Sequence, residues 1–244
     1  MSASVLDDLV AEQERLEAVL SGLSDDGWAS PSAAAGWTIA DVVLHLAQTE
    51  ERVVISVSGH AGADWHPGGV SLDDAMDQMV RAERAPAPEI FQRWRSARRA
   101  AVSALRQADP QRRYPWVAAP LKPRTLATTR LAEHWAHGLD ITGPLGVRFP
   151  DTDRLRHIAW LGHSSLPYAF TLAGQQPHEV RCELTAPEGS TWSFGPPSAA
   201  STITGPAGAF CRVGARRLRA EDSGLVALGP HGAAALRVLR NYAG

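Results

Sequence analysis

The feature that most limits the fold is a change of hydrophobic period along the chain. Up to residue 145, apolar residues recur every three to four positions, the spacing of a helix with one buried face. Val5, Leu9, Leu16, Val19, Leu20 and Leu23 mark a first helix over residues 4–22, ended by a turn at "GLSDDGW". A second runs from Ile39 to Ser58, with Thr38 as N-cap and Asp41 in the capping-box position. The loop "HAGADWHPGG", a short helix over 71–84 and the breaker "APAP" follow. Two further long helices are expected over 89–107 and 124–141. Four long helices and one short extra make a four-helix bundle the economical architecture for residues 1–145.

Beyond Gly146 the pattern shifts. Residues 151–173 still look helical. "EVRCELTAP" then sets Val180, Cys182 and Leu184 against Arg181, Glu183 and Thr185, a half-exposed strand. "TWSFG" completes a hairpin, "ASTITG" offers a third strand, and "PAGAFCRVGARRL" and "HGAAALRVLRNYA" are helical. The expected class is α+β: a helix-bundle domain over 1–145 and a small α+β domain over 146–244.

Composition narrows the function classes. A net charge of −2 with no basic stripe argues against a nucleic-acid partner. The run "RWRSARRAAVSALR" has helix-spaced apolar residues and reads as a solvated helix face. Two cysteines, Cys182 and Cys211, are too few for a disulfide framework, and Cys211 reads as core. The acidic, amphipathic start lacks a signal segment, and no apolar run suits a membrane helix. A soluble, cytoplasmic protein without a membrane partner is expected.

The chemistry concentrates in "LAEHWAHGLD". Glu133 and His137 are four residues apart, so a helix stacks them on one face. His45 shares its helix face with Val42, Leu46 and Thr49 and points inward. If those helices are neighbours, three donors meet at one point, with a coordination position open for water or substrate. The residues alone leave open a hydrogen-bonded core histidine, a surface Glu–His pair, and an i,i+3 pairing of His134 with His137. "EHWAH" is not the H-E-x-x-H of metalloproteases. Trp37 and Trp135 read as packing, His60, Trp65 and His66 as loop residues, and His157 and His163 as structural or exposed.

"GWTIADVVLHLAQTE" together with "LAEHWAHGLDI" resembles the DinB-like metal-binding superfamily, and most closely its actinobacterial mycothiol-dependent maleylpyruvate isomerase branch. "VRCELTAPEGSTWSFGP", "TGPAGAFCRVGARRLRAEDSGLVALG" and the ending "LRVLRNYAG" resemble the second domain of that branch. The resemblance implies a DinB-like four-helix bundle whose metal ligands here are His45, Glu133 and His137, with His134 at a non-ligand position. It implies a divalent metal, zinc by habit of the family, and mycothiol as cosubstrate. The thiolate adds to a conjugated double bond, the bond rotates and the thiol leaves; in related transferases the thiol stays on the product. Arg217 falls on the family's functional Arg, a natural clamp for a substrate carboxylate. Arg212 and Gly214 stand where apolar residues are usual, which puts the substrate in doubt.

The expected function is a metal-dependent thiol S-transferase or thiol-assisted isomerase with a small electrophilic substrate, acting as monomer or homodimer. The alternatives are a thiol-independent metal enzyme (isomerase, cyclase or hydrolase) and a non-catalytic binding protein on the same fold.

Overall fold

A computed structural model describes residues 4–59 and 70–241, so His60, Trp65 and His66 lie outside the described residues. The chain divides into two compact units between Phe149 and Pro150.

The first unit is helical. It holds α1 (Val5–Leu20), α2 (Asp25–Ala29), α3 (Ile39–Ser58), α4 (Leu72–Ala82), α5 (Ala87–Gln107) and α6 (Pro123–Thr142). The long helices α1, α3, α5 and α6 pack on one another as a four-helix bundle, and α4 leans on α3. The segment expected to be a plain turn carries α2 instead. Ser24 accepts from the Gly27 amide, and Asp25 and Asp26 occupy the first turn, so local capping makes a short helix there.

α3 is the centre of the unit. Every residue from Asp41 to Glu50 is buried, so the helix has neighbours all round. Ile39, Val43, Leu46 and Ala47 pack with Trp28, Val80, Ile90 and Trp94. Trp94 is fully buried, and truncating such a side chain to Ala typically costs about 3–5 kcal/mol. The α5 arginines are less solvated than the sequence suggests: Arg93 pairs with Glu51 and Glu83, Arg95 with Glu17, and Arg98, only 8% exposed, with Glu17 as well. Apolar stems covering the bundle with charged heads paired at its edge account for the difference.

The second unit contains α7 (Leu155–Ser164), α8 (Leu166–Leu172), β1 (Arg181–Thr185), β2 (Thr191–Phe194), β3 (Thr202–Pro206), α9 (Ala207–Gly214), β4 (Val226–Leu228) and α10 (Gly232–Val238). Among the described residues its sheet has the order β2-β1-β3-β4. β1 and β2 form the expected antiparallel hairpin, β3 runs parallel to β1, and β4 is antiparallel to β3. Two expectations are corrected, and one further strand was not foreseen. The helix over 151–173 is two helices, because Pro167 opens a new one after Ser165. The helix from Ala207 stops at Gly214 rather than continuing through "ARRL", and Arg216 adopts a left-handed φ of 60°. β4 is a three-residue strand whose Val226 and Leu228 are exposed, too short to show a period.

The start of α3 yields a stability prediction. Thr38 accepts from the Asp41 amide, Asp41 accepts from the Thr38 amide, and Arg84 binds Asp41 with two hydrogen bonds of 2.8 Å. Burial alone would raise the Asp41 carboxyl, but the bonds from Arg84 and Thr38 outweigh it and hold its pKa below the ordinary value. A depressed folded-state pKa stabilises the fold above the unfolded value of about 3.9, and that contribution disappears as pH falls through the folded value. Asp41→Asn should therefore cost about 1–2 kcal/mol at neutral pH. Urea unfolding of both proteins over a series of falling pH values checks this: the gap should narrow as pH drops below the ordinary carboxylate range, and a gap independent of pH would contradict the account.

Candidate metal centre

α3 and α6 supply the donors. His45 leaves α3 on the inward face shared with Val42, Leu46 and Thr49, and α6 stacks Glu133 and His137 one turn apart. Among the described residues, these three donor groups lie within 4.8 Å of one another. Glu133 Oε2 is 3.7 Å from His45 Nε2 and 3.4 Å from His137 Nε2. Two ligands at roughly 2.1 Å from one tetrahedral zinc lie about 3.4 Å apart, so the spacing suits an ion shared among them. Glu133 is the most exposed of the three, with 28% of its side chain reaching solvent against 9% for His45 and 11% for His137.

The surroundings orient these donors. His137 Nδ1–H donates to Asp140 Oδ2 at 2.9 Å, which turns Nε2 toward Glu133. A carboxylate behind the imidazole is the usual outer partner of a metal-ligating histidine. Trp37, half-buried, stands against both rings, 5.1 Å from the His45 centroid and 6.4 Å from that of His137. Its indole N–H donates to Asp77 Oδ1 at 2.9 Å. Gly138 follows His137 because Phe149 packs there: a Cβ would come within 2.7 Å of the ring.

The electrostatics favour a cation. Burial opposes a charged Glu133, yet hydrogen bonds with His137 and His45 and the charges of His137 and Arg130 hold its carboxyl well below the usual range. Burial also opposes a charged His137, but Asp140 and Glu133 outweigh it and raise its pKa. For His45 burial dominates and lowers the pKa, despite its bond with Glu133. His45 Nδ1 is buried and has no hydrogen-bond partner among the described residues.

Two residues important to this arrangement were not given a place in it from the sequence. Asp140 carries the signal of a carboxylate three residues after His137, on the same helix face. Trp37 was read as packing, and its contact with both imidazoles needs tertiary structure. His134 is apart from the cluster: it is fully buried, accepts from the Trp94 indole at 3.2 Å and donates to Arg130 O at 2.9 Å. In the second unit, Arg217 is exposed in the bend past α9, its Nη1 donating to Ala215 O at 2.6 Å. Cys182 and Cys211 are buried free thiols; burial pushes the Cys182 thiol up to about 12 and Cys211 further still. No helix among the described residues is long and apolar enough to cross a membrane.

Residues 9–142 match the family described as the mycothiol maleylpyruvate isomerase N-terminal domain. An uncharacterised Mycobacterium tuberculosis protein, found in two strains, is 36% identical to this chain, the alignment covering 97% of this chain and 94% of its own length. The fold is similar to crystal structures of the mycothiol-dependent maleylpyruvate isomerase and of a point mutant of that enzyme. Their TM-scores are 0.62 and 0.60, with 14% identity over 91% of each chain.

A buried network ties the two donor helices together. Arg130 Nε donates to Glu50 Oε1 at 2.9 Å and Arg130 Nη2 to Thr49 Oγ1 at 2.7 Å, with Arg130 2% and Glu50 0% exposed. Burial, with Arg130 as the next cause, depresses the His134 pKa to about 3, so this imidazole stays neutral beside the pair. Removing one member of a buried pair strands the other charge, at a cost of about 3–5 kcal/mol, whereas removing both is far cheaper. Arg130→Met alone should destabilise by that amount, and adding Glu50→Gln should recover most of it. Urea unfolding of the single and double variants tests this; additive losses would contradict it.

Proposed function

Because the chain belongs to the mycothiol maleylpyruvate isomerase family, we propose that it is a metal-dependent enzyme acting on a small electrophile with a low-molecular-weight thiol, mycothiol by family. Thiol-assisted isomerisation or S-transfer is the reaction. The observation that carries the reading is the convergence of His45 Nε2, Glu133 Oε2 and His137 Nε2, with the outer nitrogen of His137 held by Asp140.

The donor set fits a divalent ion of the zinc type: two imidazoles and a carboxylate, converging, backed by a second carboxylate and partly open to solvent. Such an ion lowers the pKa of a thiol it binds, so that the nucleophilic thiolate exists at neutral pH. The chain's own groups do the rest. Asp140 holds His137 in the tautomer that presents Nε2. Glu133 supplies negative charge at the partly exposed side of the triad. The Trp37 ring shields the imidazoles, and its Asp77 bond fixes the indole plane. Arg217 is assigned the acidic group of the substrate, a role supported by its place in the family's pattern and by its exposed guanidinium.

Elemental mass spectrometry of the purified protein, beside His45→Ala and His137→Ala, is the first test. The parent should carry close to one divalent ion per chain and both variants should lose it. A parent that stays metal-free when metal is supplied overturns the reading. Turnover of maleylpyruvate and of other activated electrophiles is then measured with and without mycothiol. Metal-dependent turnover indifferent to thiol would replace the thiol mechanism with Lewis-acid or water chemistry.

Asp140→Asn should weaken metal affinity about 10–100-fold while leaving the fold intact, as measured by chelator competition. Arg217→Ala should raise KM for a carboxylate substrate, with Arg217→Lys recovering only part of the loss because a point charge replaces a bidentate fork. An unchanged KM in both variants would remove Arg217 from the site.

A further inference from the structure

The second unit holds a cleft of its own beyond α9. It has a volume of about 660 Å³, is open to solvent, and lies between the bend at residues 216–221 and α10. Arg216, Arg217, Leu218 and Arg219 line it on one side and Leu236 and Arg237 on the other. Small-molecule sites typically enclose about 300–1,000 Å³.

The bend carries a conformational cost. The Arg216 amide donates to Val213 O at 3.0 Å and the Arg217 amide to Arg212 O at 2.8 Å, the paired bonds of a Schellman cap on α9. That cap sets residue 216 at its left-handed position, with φ 60°. A Cβ there crowds the backbone carbonyl, so glycine is the usual occupant. Among the described residues every other positive φ belongs to a glycine. An arginine kept where glycine would relax the backbone points to a use for its side chain.

The four arginines of the lining differ in what they already hold. Arg219 pairs with Glu221 and Asp222, which also neutralises the acid of the cleft wall. Arg217 Nη1 turns back to Ala215 O at 2.6 Å and so serves the C-terminal end of α9. Arg216 and Arg237 are exposed, and among the described residues neither guanidinium has a hydrogen bond or an acidic partner.

These two groups specify the ligand. A carboxylate has two oxygens and one charge, and a single guanidinium fork satisfies it. A phosphate group brings three terminal oxygens and close to two charges at neutral pH, enough for a fork from the bend and a fork from α10. Leu218, half-buried on the same wall, offers apolar contact to a body carrying the phosphate. We propose that this cleft binds a phosphate group, free or as the monoester of a small molecule, through Arg216 and Arg237. The site shares no residue with the metal centre, and it does not rest on the thiol chemistry or on the role given to Arg217.

Calorimetric titration of the full-length protein with phenyl phosphate, inorganic phosphate and benzoate tests this. Phosphate should bind saturably, and benzoate, which has the same ring but a single charge, at least ten-fold more weakly than phenyl phosphate. Phenyl phosphate binding more tightly than inorganic phosphate assigns the cleft to a monoester; equal affinity assigns it to the free ion. Arg216→Gly and Arg237→Ala should each weaken phosphate binding roughly ten-fold or more. Arg99→Ala, which removes an exposed arginine of α5, should leave it unchanged. Arg216→Gly should also be no less stable to urea than the parent, so that its lost affinity is not lost fold. Phosphate that does not bind saturably overturns the proposal, as does benzoate binding as tightly as phenyl phosphate. So does affinity unchanged in both cleft variants, or an equal loss in Arg99→Ala.

Discussion

The buried pair of Glu50 and Arg130 is the interaction on which the donor geometry depends. Moving either charge from water into the bundle costs several kcal/mol, so neither is tolerable there without the other. Their requirement to meet sets the register of α3 against α6. Arg130 also donates to Thr49 Oγ1, and Thr49 Oγ1 donates in turn to His45 O at 2.9 Å. Residues 45, 49 and 50 on α3 are thereby matched to 130, 133, 134 and 137 on α6, about one and a half turns of the first helix and two of the second. Apolar packing alone tolerates slippage; a buried ion pair with directional bonds does not. His45 therefore faces Glu133 and His137 with ångström-level definition, which a site of three short-range donors requires.

The small helix α4 supports the same centre from the other side. Asp77 fixes the Trp37 indole, Met79 O and Glu83 accept from the buried Gln48 amide, and Arg84, just beyond the helix, clamps Asp41. The three residues that receive these contacts, Trp37, Asp41 and Gln48, lie on or beside the first half of α3. The capping box starts the helix, and α4 holds that start in place, so the two imidazoles meet a fixed aromatic wall. α4 is thus a brace for α3, which accounts for buried polar residues on a helix that apolar packing alone would have made aliphatic.

The asymmetry between what was and was not legible in the sequence follows from the range of each signal. The helices of the first unit were legible because amphipathic period, capping and proline breaks are local; Thr38 and Asp41 form their capping box as their spacing implies. The inward face of His45 was legible for the same reason. The neighbouring of α3 and α6 was not, since almost every α6 residue from Leu126 to Thr142 is buried and its period points nowhere in particular. Only the resemblance to a known family chose His137 over His134 as partner to Glu133. The structure supplies the physical ground: Trp94 and the Arg130 carbonyl occupy both nitrogens of His134, while His137 keeps Nε2 free of any such backbone or indole partner. In the second unit β4 was invisible because three residues pairing with β3 carry no period of their own.

The residues Arg212 and Gly214 in the second unit have internal structural reasons. Arg212 makes two bonds of 2.8 Å to Asp151 and fastens α9 to the segment before α7. Gly214 lets Asn241 approach: the Asn241 amide donates to Gly214 O at 3.1 Å, and a Cβ on Gly214 would meet the Asn241 side chain at 3.3 Å. Both residues thus tie α9 by directional bonds to other parts of the same unit. The early stop of α9 then follows, because Asn241 takes the Gly214 carbonyl that a continuing helix would use and Arg216 turns left-handed. Arg217 is delivered to an exposed bend by that stop, rather than laid along a helix flank. The stretch "CRVGARRL" is therefore built around this bend, and the guanidinium at position 217 is exposed on it.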